Sequence, residues 1–292
     1  MVLSPSPLRY PGGKTIIADL VKLIIKKANV KNCVYIEPFA GGAGVALSLL
    51  FDGTVSKIVI NDFDIAIYSF WKAILDETDA FINLIKNVPL TVEEWNAQKN
   101  IYTTQNERYS LELGFATFYL NRTNRSGILC AGPIGGKNQD GNYLMDARFM
   151  KDALIDKIEK IASYKDNIFV YNKDVLELID DCIPQFGENA FVYFDPPYFN
   201  KGKELYKNFF TPDDHERIAE HIKSNSDYSW IVTYDNVDQI KKLYQGHLIK
   251  TFDLNYSIGK GKKGSEIIIF KERRYCPNQK LIDDNKVKIH LR

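Results

Sequence analysis

Amphipathic and wholly apolar stretches alternate along the first quarter of the chain. The pattern predicts a helix over Thr15 to Lys27, a strand over Cys33 to Ile36, and then the run Glu37-Pro38-Phe39-Ala40-Gly41-Gly42-Ala43-Gly44. Small residues give way there to Val45-Ala46-Leu47-Ser48-Leu49-Leu50, an apolar helix start, so the unit reads strand, glycine turn, helix. A second strand, Lys57 to Ile60, ends in Asn61-Asp62, and Ile65 to Leu75 has the spacing of another amphipathic helix. Strands in alternation with helices predict an α/β fold with a doubly wound, mostly parallel sheet.

From about Asp76 the pattern turns helical, as in Leu111 to Leu120, and runs into Asn121 to Gly141, a loop rich in Gly, Asn and basic residues. Loops longer than about 15 residues inside a compact domain are usually functional or mobile. Strand patterns return at Asn167 to Tyr171, Ala190 to Phe194 and Ser229 to Thr233. A closing pair, Leu248 to Tyr256 and Glu266 to Lys271, flanks Gly259-Lys260-Gly261-Lys262-Lys263-Gly264 and predicts an antiparallel hairpin with a long tip. The expected organisation is one α/β domain built from residues 1–75 and 161–292, with residues 76–160 inserted into it. The end, Cys276 to Arg292, is polar and expected to be loosely held.

A chain of 292 residues corresponds to about two structural units and can bury a core without disulfide or metal staples. Lys+Arg 38 balance Asp+Glu 37, so any basic surface must be a local patch. No apolar run approaches the roughly 18 residues of a membrane helix, and Met1-Val2-Leu3-Ser4-Pro5 lacks the apolar core of a signal peptide. These features predict a cytoplasmic location and no membrane partner. Cys33, Cys130, Cys182 and Cys276 are widely spaced, and His215 and His221, six apart, would face different sides of a helix, so no metal site is expected.

The sharpest chemical signal is Phe191-Val192-Tyr193-Phe194, a buried-strand run that ends directly in Asp195-Pro196-Pro197-Tyr198. Ligands of open α/β sheets bind beyond the carboxyl ends of the strands, which is where Asp195 is delivered. The alternative is a capping Asp at a proline-rich strand exit. Pro-Pro, however, lacks two backbone donors and presents rigid carbonyl acceptors. A carboxylate and a neighbouring carbonyl can accept both hydrogens of an exocyclic amine and aim its lone pair at an electrophile, while Tyr198 offers a face for a flipped base. The glycine turn with Asp62 fits a nicotinamide or an S-adenosylmethionine site, although Leu47 stands where the dinucleotide fingerprint has its third Gly. Lys14 opens a helix at its positive end, a placement that a carboxylate ligand would explain.

Taken in order, Arg9-Tyr10-Pro11-Gly12-Gly13-Lys14, the Glu37-to-Gly44 run, Asn61-Asp62, Phe118-Tyr119-Leu120-Asn121-Arg122, Asp174 and Asp195-Pro196-Pro197-Tyr198 resemble the Dam-type N6-adenine DNA methyltransferases across nearly the whole chain. The resemblance implies a Rossmann-like methyltransferase fold with an inserted, mainly helical DNA-recognition domain. It implies that Tyr10, Lys14, Phe39, Asp62, Asp174 and Asp195 surround S-adenosylmethionine. Lys14 would lie near its carboxylate, Asp62 on its ribose and Asp174 near its adenine, with Asp195, Pro196, Pro197 and Tyr198 forming the catalytic loop. Duplex DNA is the implied partner, and a cognate restriction endonuclease a possible further one.

Inside the insertion the chain reads Thr123-Asn124-Arg125-Ser126-Gly127-Ile128-Leu129-Cys130, unlike the GATC-methylating members, so that target is not carried over. Asn121, Arg122, Asn124, Arg125 and Ser126 are expected at the DNA, because Arg can read guanine and Asn adenine; a solvated, conformationally constrained loop is the alternative. Lys260, Lys262 and Lys263 are expected at phosphates because the resemblance turns this region toward DNA, the alternative being a solvated hairpin end. The competing readings are a nicotinamide oxidoreductase, which leaves the Asp195 motif without a role, an RNA or protein amine methyltransferase, and a DNA-binding module without catalysis.

Overall fold

A computed structural model describes residues 4–9, 14–105, 107–199, 210–224, 227–255 and 263–292. Among these residues seven strands form one sheet: β1 (Val34–Glu37), β2 (Lys57–Asn61), β3 (Ile168–Tyr171), β4 (Ala190–Phe194), β5 (Ser229–Asp235), β6 (Leu248–Asn255) and β7 (Lys263–Phe270). Their order is β3-β2-β1-β4-β5-β7-β6, parallel through β5, with β7 and β6 added antiparallel. The expected mostly parallel sheet and the closing hairpin are both present.

The central strands read as unbroken apolar runs because both faces of the sheet are covered. Successive residues alternate between two cores. Tyr35, Ile58, Phe191, Tyr193 and Ile231 join one, and Ile36, Val59, Val192, Phe194 and Val232 the other. The first core is covered by α1 (Ala18–Ala28), α2 (Gly44–Phe51) and α3 (Ile65–Asp76), and the second includes the helix Pro212–Ser224.

Residues 76–160 carry α4 (Thr78–Asn87), α5 (Val92–Thr104), α6 (Leu111–Thr123) and α7 (Lys151–Ala162). These helices extend the first core; they do not enclose a separate one. Helix α6 is buried on every side from Leu113 to Asn121, where Phe115, Phe118 and Tyr119 pack with Phe70, Phe81 and Phe149. Its entry is fixed by Ser110, whose hydroxyl accepts from Leu113 N (3.0 Å). Among the described residues no helix is long and apolar enough to cross a membrane.

The tail departs from expectation. Tyr275, Ile282, Val287 and Ile289 are buried, and Arg292 exchanges two backbone hydrogen bonds of 2.9 Å with Thr251, covering the outer edge of β6. These anchors sit successively on a turn, a short helix and an extended end, so no single hydrophobic period reveals them.

Helices α3 and α6 cross at Gly114, where a Cβ would stand 2.5 Å from Ser69 O. A backbone carbonyl cannot rotate away as a side chain would. Gly114→Ala is therefore expected to push α6 off α3 and destabilise the protein by about 1–3 kcal/mol. Urea denaturation reads this directly, and an unchanged midpoint would show that the crossing is slack.

Candidate active site

Asp195 leaves the sheet beside the carboxyl end of β1, at the point where the strand order reverses. Ligand crevices of open α/β sheets form there. Thr233, buried on β5, donates its hydroxyl to Asp195 Oδ1 (2.7 Å), and the Tyr193 hydroxyl lies 2.9 Å from the same Thr233 oxygen. Because the single Thr233 hydroxyl proton goes to Asp195, Tyr193 is the donor in its bond to Thr233. Pro196 is buried, whereas Asp195, Pro197 and Tyr198 are half-exposed. Two more carboxylates hold the loop: Asp235 Oδ1 accepts from Phe199 N (2.9 Å), and Glu266 Oε1 accepts from the Tyr198 hydroxyl (2.5 Å).

Phe39, Asp62 and Asp174 follow β1, β2 and β3, so the structure brings them to the same sheet edge as Asp195. Asn61 joins three strand ends there. Its Nδ2 donates to Pro38 O (3.0 Å) and Lys173 O (3.1 Å), and its Oδ1 accepts from Lys173 N (2.9 Å). Asp62 Oδ2 accepts from Gly41 N (3.0 Å) and Oδ1 from Asp64 N (3.0 Å), which ties it to the glycine turn and to the start of α3. Gly41 and Ala43 both take positive φ values, 46° and 45°, making the turn tight. Asp174 is exposed and caps the next turn, accepting from Leu176 N (2.8 Å). Phe63, next to Asp62 in the chain and 59% exposed, is an apolar ring that the sequence pattern did not single out.

Glu37 was also missed. It ends β1 almost fully buried, and its Oε1 accepts from Tyr35 OH (2.9 Å) and from Ala46 N (3.0 Å), capping α2 where Ala43 has no side chain to do so. Burial pushes its carboxyl up to about 8, helped by the charge of Asp195 and opposed by the two hydrogen bonds. Asp62 is likewise pushed up to about 7, by burial first and then by Asp64, against its two backbone donors.

An aromatic bridge joins the glycine turn to the Asp195 loop. Phe39 meets Phe210 edge-on at 5.9 Å, Phe210 meets His215 at 5.5 Å, and His215 meets Phe199 at 5.1 Å. His215 is buried, its Nδ1 is 3.0 Å from Tyr234 OH, and burial lowers its pKa, so it serves as a neutral packing group. His221 is half-exposed on another face of the same helix.

On the far side of α6, residues 124–133 form a loop closed by an antiparallel bridge between Asn124 and Pro133. Arg125 and Ser126 are exposed, and Ser126 and Gly127 have φ values of 58° and 76°. A Cβ at Gly127 would lie 2.4 Å from Arg9 O, so this loop is pressed against the N-terminal segment.

Residues 10–258 match the D12 class N6 adenine-specific DNA methyltransferases. The chain belongs to that family. Type II methyltransferase M.MjaIII of Methanocaldococcus jannaschii is 25% identical over 266 residues, covering 83% of this chain and 89% of the relative. Type II methyltransferase M.CviBI of Paramecium bursaria Chlorella virus NC1A is 22% identical over 267 residues, covering 89% and 95%. The fold and the family together make this protein a DNA methyltransferase with a Rossmann-like sheet.

Within this methyltransferase the structure corrects two expected base readers. Asn124 is fully buried: its Nδ2 donates to Ile128 O (3.0 Å) and Leu129 O (3.1 Å), and its Oδ1 accepts from Trp95 Nε1 (2.6 Å). Asn121 is spent in the same way, donating to Arg9 O (2.8 Å) and Gly127 O (2.9 Å) and accepting from Arg9 N (2.7 Å). Both amides shape the loop and leave no edge for a base. Arg122 is partly withdrawn as well, donating to Arg148 O and, at 3.4 Å, to Pro7 O. Tyr10, Lys260 and Lys262 lie outside the described residues, as do the side chains of Lys14 and Lys263.

The two raised acids set a pH dependence. Their folded pKa values, about 7 and 8, exceed the ordinary 3.8 and 4.5, so the folded state holds protons that the unfolded chain has already lost. Stability of the ligand-free methyltransferase is expected to fall as pH rises from about 4 to about 8. Asp62→Asn and Glu37→Gln should each flatten that slope in urea titrations run at several pH values. Slopes equal to wild type would show that neither group titrates abnormally.

Proposed function

We propose that this methyltransferase moves the methyl group of S-adenosylmethionine to N6 of an adenine rotated out of duplex DNA. The observation that carries the reading is Asp195, held by Thr233 at the switch-point crevice with the ring of Tyr198 three residues on. Such a carboxylate, with the carbonyl of Pro196, suits both hydrogens of an exocyclic amine and leaves the nitrogen lone pair facing an electrophile. A proton can leave late, because the amine becomes acidic once methylated, so no strong base is required. Tyr198 offers the flipped adenine a stacking surface.

The residues at the neighbouring strand ends fit the cofactor chemically. Asp62 provides a carboxylate for ribose hydroxyls, Phe39 and Phe63 provide apolar ring faces, and Asp174 provides an exposed acceptor. When bound, S-adenosylmethionine supplies an activated methyl on a sulfonium. Tyr10 and Lys14 complete this proposed set.

For DNA we assign the segment 76–160, and within it Arg125 and Ser126, as the surface that meets the target. Support comes from four cations that crowd the same end of α6, Arg9, Arg122, Arg148 and Lys157. Among the described residues none of them pairs with a carboxylate. Burial, then Arg9 and Arg148, pull the Arg122 pKa down to about 10. An uncompensated cation cluster on a chain of net charge +1 is the local patch that a phosphate backbone attracts. Lys260, Lys262 and Lys263 are proposed as further phosphate contacts. By likeness to the type II methyltransferases, protection of cytoplasmic DNA from a cognate restriction endonuclease is the proposed setting.

Expression in a host without adenine methylation, followed by mapping of modified bases, tests the reading; a genome without N6-methyladenine would refute it. Asp195→Ala should lower turnover about a hundredfold or more with unchanged circular dichroism. Arg125→Ala, assayed on a randomised duplex pool, should relax one position of the target by about 1–3 kcal/mol. An unaltered sequence profile at a lower rate would instead assign Arg125 to the backbone.

A further inference from the structure

We infer that Glu266 is a positioning residue for base capture, fixing the direction in which the Tyr198 ring points by holding its phenol. The inference rests on the proposed transfer to a flipped adenine and adds a residue outside the Asp195 motif. In the antiparallel pair of β5 and β7, Glu266 stands opposite Asp235 and Ile268 opposite Thr233. Side chains two apart on a strand share a face, as do directly paired residues. Thr233, Asp235 and Glu266 therefore form one row at the carboxyl end of β5 and the middle of β7.

Each member of the row takes a different atom of the same loop: Thr233 the carboxylate of Asp195, Asp235 the backbone N–H of Phe199, and Glu266 the hydroxyl of Tyr198. The first two bonds set where the loop runs. Only the third acts on a ring.

Glu266 is 1% exposed at the head of the run Ile267-Ile268-Ile269-Phe270, a position where an apolar residue would continue the strand without desolvating a charge. A carboxylate there is costly for packing alone, and the 2.5 Å bond to Tyr198 gives it a use. Tyr198 is half-exposed, follows the rigid Pro197, and carries its ring on two rotatable side-chain bonds. Holding the phenol oxygen at the far end of the ring fixes the direction in which the ring extends from the backbone, and the preference of a phenol O–H for the plane of its ring favours one rotation about that direction before the base arrives. The base then stacks on a surface already aimed, so the entropy of orienting the ring is not charged to the flipped state.

The test uses the full-length protein on a duplex carrying its mapped target. Glu266→Ala and Tyr198→Phe remove the same bond from opposite sides. Each should lower kcat by about ten- to a hundredfold while cofactor affinity stays at the wild-type value. The double variant should be no slower than either single one. Glu266→Gln keeps an oxygen acceptor and should restore most of the rate, which a role as a charged strut would not allow. With 2-aminopurine at the target position, both bond-removing variants should fluoresce more than wild type, since a poorly aimed ring quenches the flipped base less.

Wild-type kcat and fluorescence in Tyr198→Phe would overturn the inference even if Glu266→Ala fails to fold. So would losses that multiply in the double variant. A wild-type protein that methylates no adenine overturns the proposed function and this inference with it, whereas an active wild type with unaffected variants overturns this inference alone.

Discussion

The parallel pairing of β1 with β4 is the constraint on which the rest depends. Val34 pairs with Ala190 and Ile36 with Val192, so the chain leaves both strands side by side, at Pro38-Phe39 and at Phe194-Asp195. Connections from β1 run to one side of the sheet and those from β4 to the other, and the reversal opens a crevice without any cavity being carved into the core. Every polar group at the site is an addition to that geometry. Asn61 draws the ends of β1, β2 and β3 together, and Thr233, Asp235 and Glu266 hold the loop after β4.

Two carboxyl groups at this edge are kept where charge is expensive. Glu37 caps α2 from inside the core, and Asp62 straddles the glycine turn and the start of α3. Each trades stability for a fixed acceptor at the sheet edge. The backbone N–H groups bound to them would otherwise be orphans of helix or turn, so both acids are structural, and Asp62 is in addition the one proposed to meet a ligand. A ligand that donates hydroxyls or brings positive charge to Asp62 relieves part of its desolvation, which couples occupancy of the site to stability.

The sheet was legible because burial on both faces forces continuous apolar strands, and the alternation with helices then dictates parallel order. Phe191 to Phe194 running into Asp195 exposes strand, exit and candidate chemistry in a single stretch. The helices of residues 76–160 were legible as a class but not in their packing. The polar content of Asn121 and Asn124 suggested a surface that meets bases, whereas both amides are buried against backbone carbonyls. Composition cannot distinguish a polar residue that shapes a loop from one that reads a partner, since both require the same donors and acceptors. Thr233 and Glu266 left no local sign, because their partners lie 38 and 68 residues away and only strand pairing brings them to the loop. The docked tail was hidden for a related reason, its anchors being spread over three kinds of backbone.

The corrected asparagines sharpen the division of labour on the side proposed to meet DNA. Asn124 holds the carbonyls of Ile128 and Leu129 while Trp95 holds Asn124, and Asn121 clamps Arg9 to Gly127. The loop between them is therefore rigid at its base, and Arg125 and Ser126 are exposed on it, as is Cys130. An arginine on a rigid base loses less entropy on contact than one on a free loop, and the positive φ of Ser126 and Gly127 turns the backbone sharply just behind it. On the proposed reading, specificity resides in Arg125, and the buried amides set the angle at which it is presented. Exchange of Arg125 can then change what is read while the clamp that aims it is preserved.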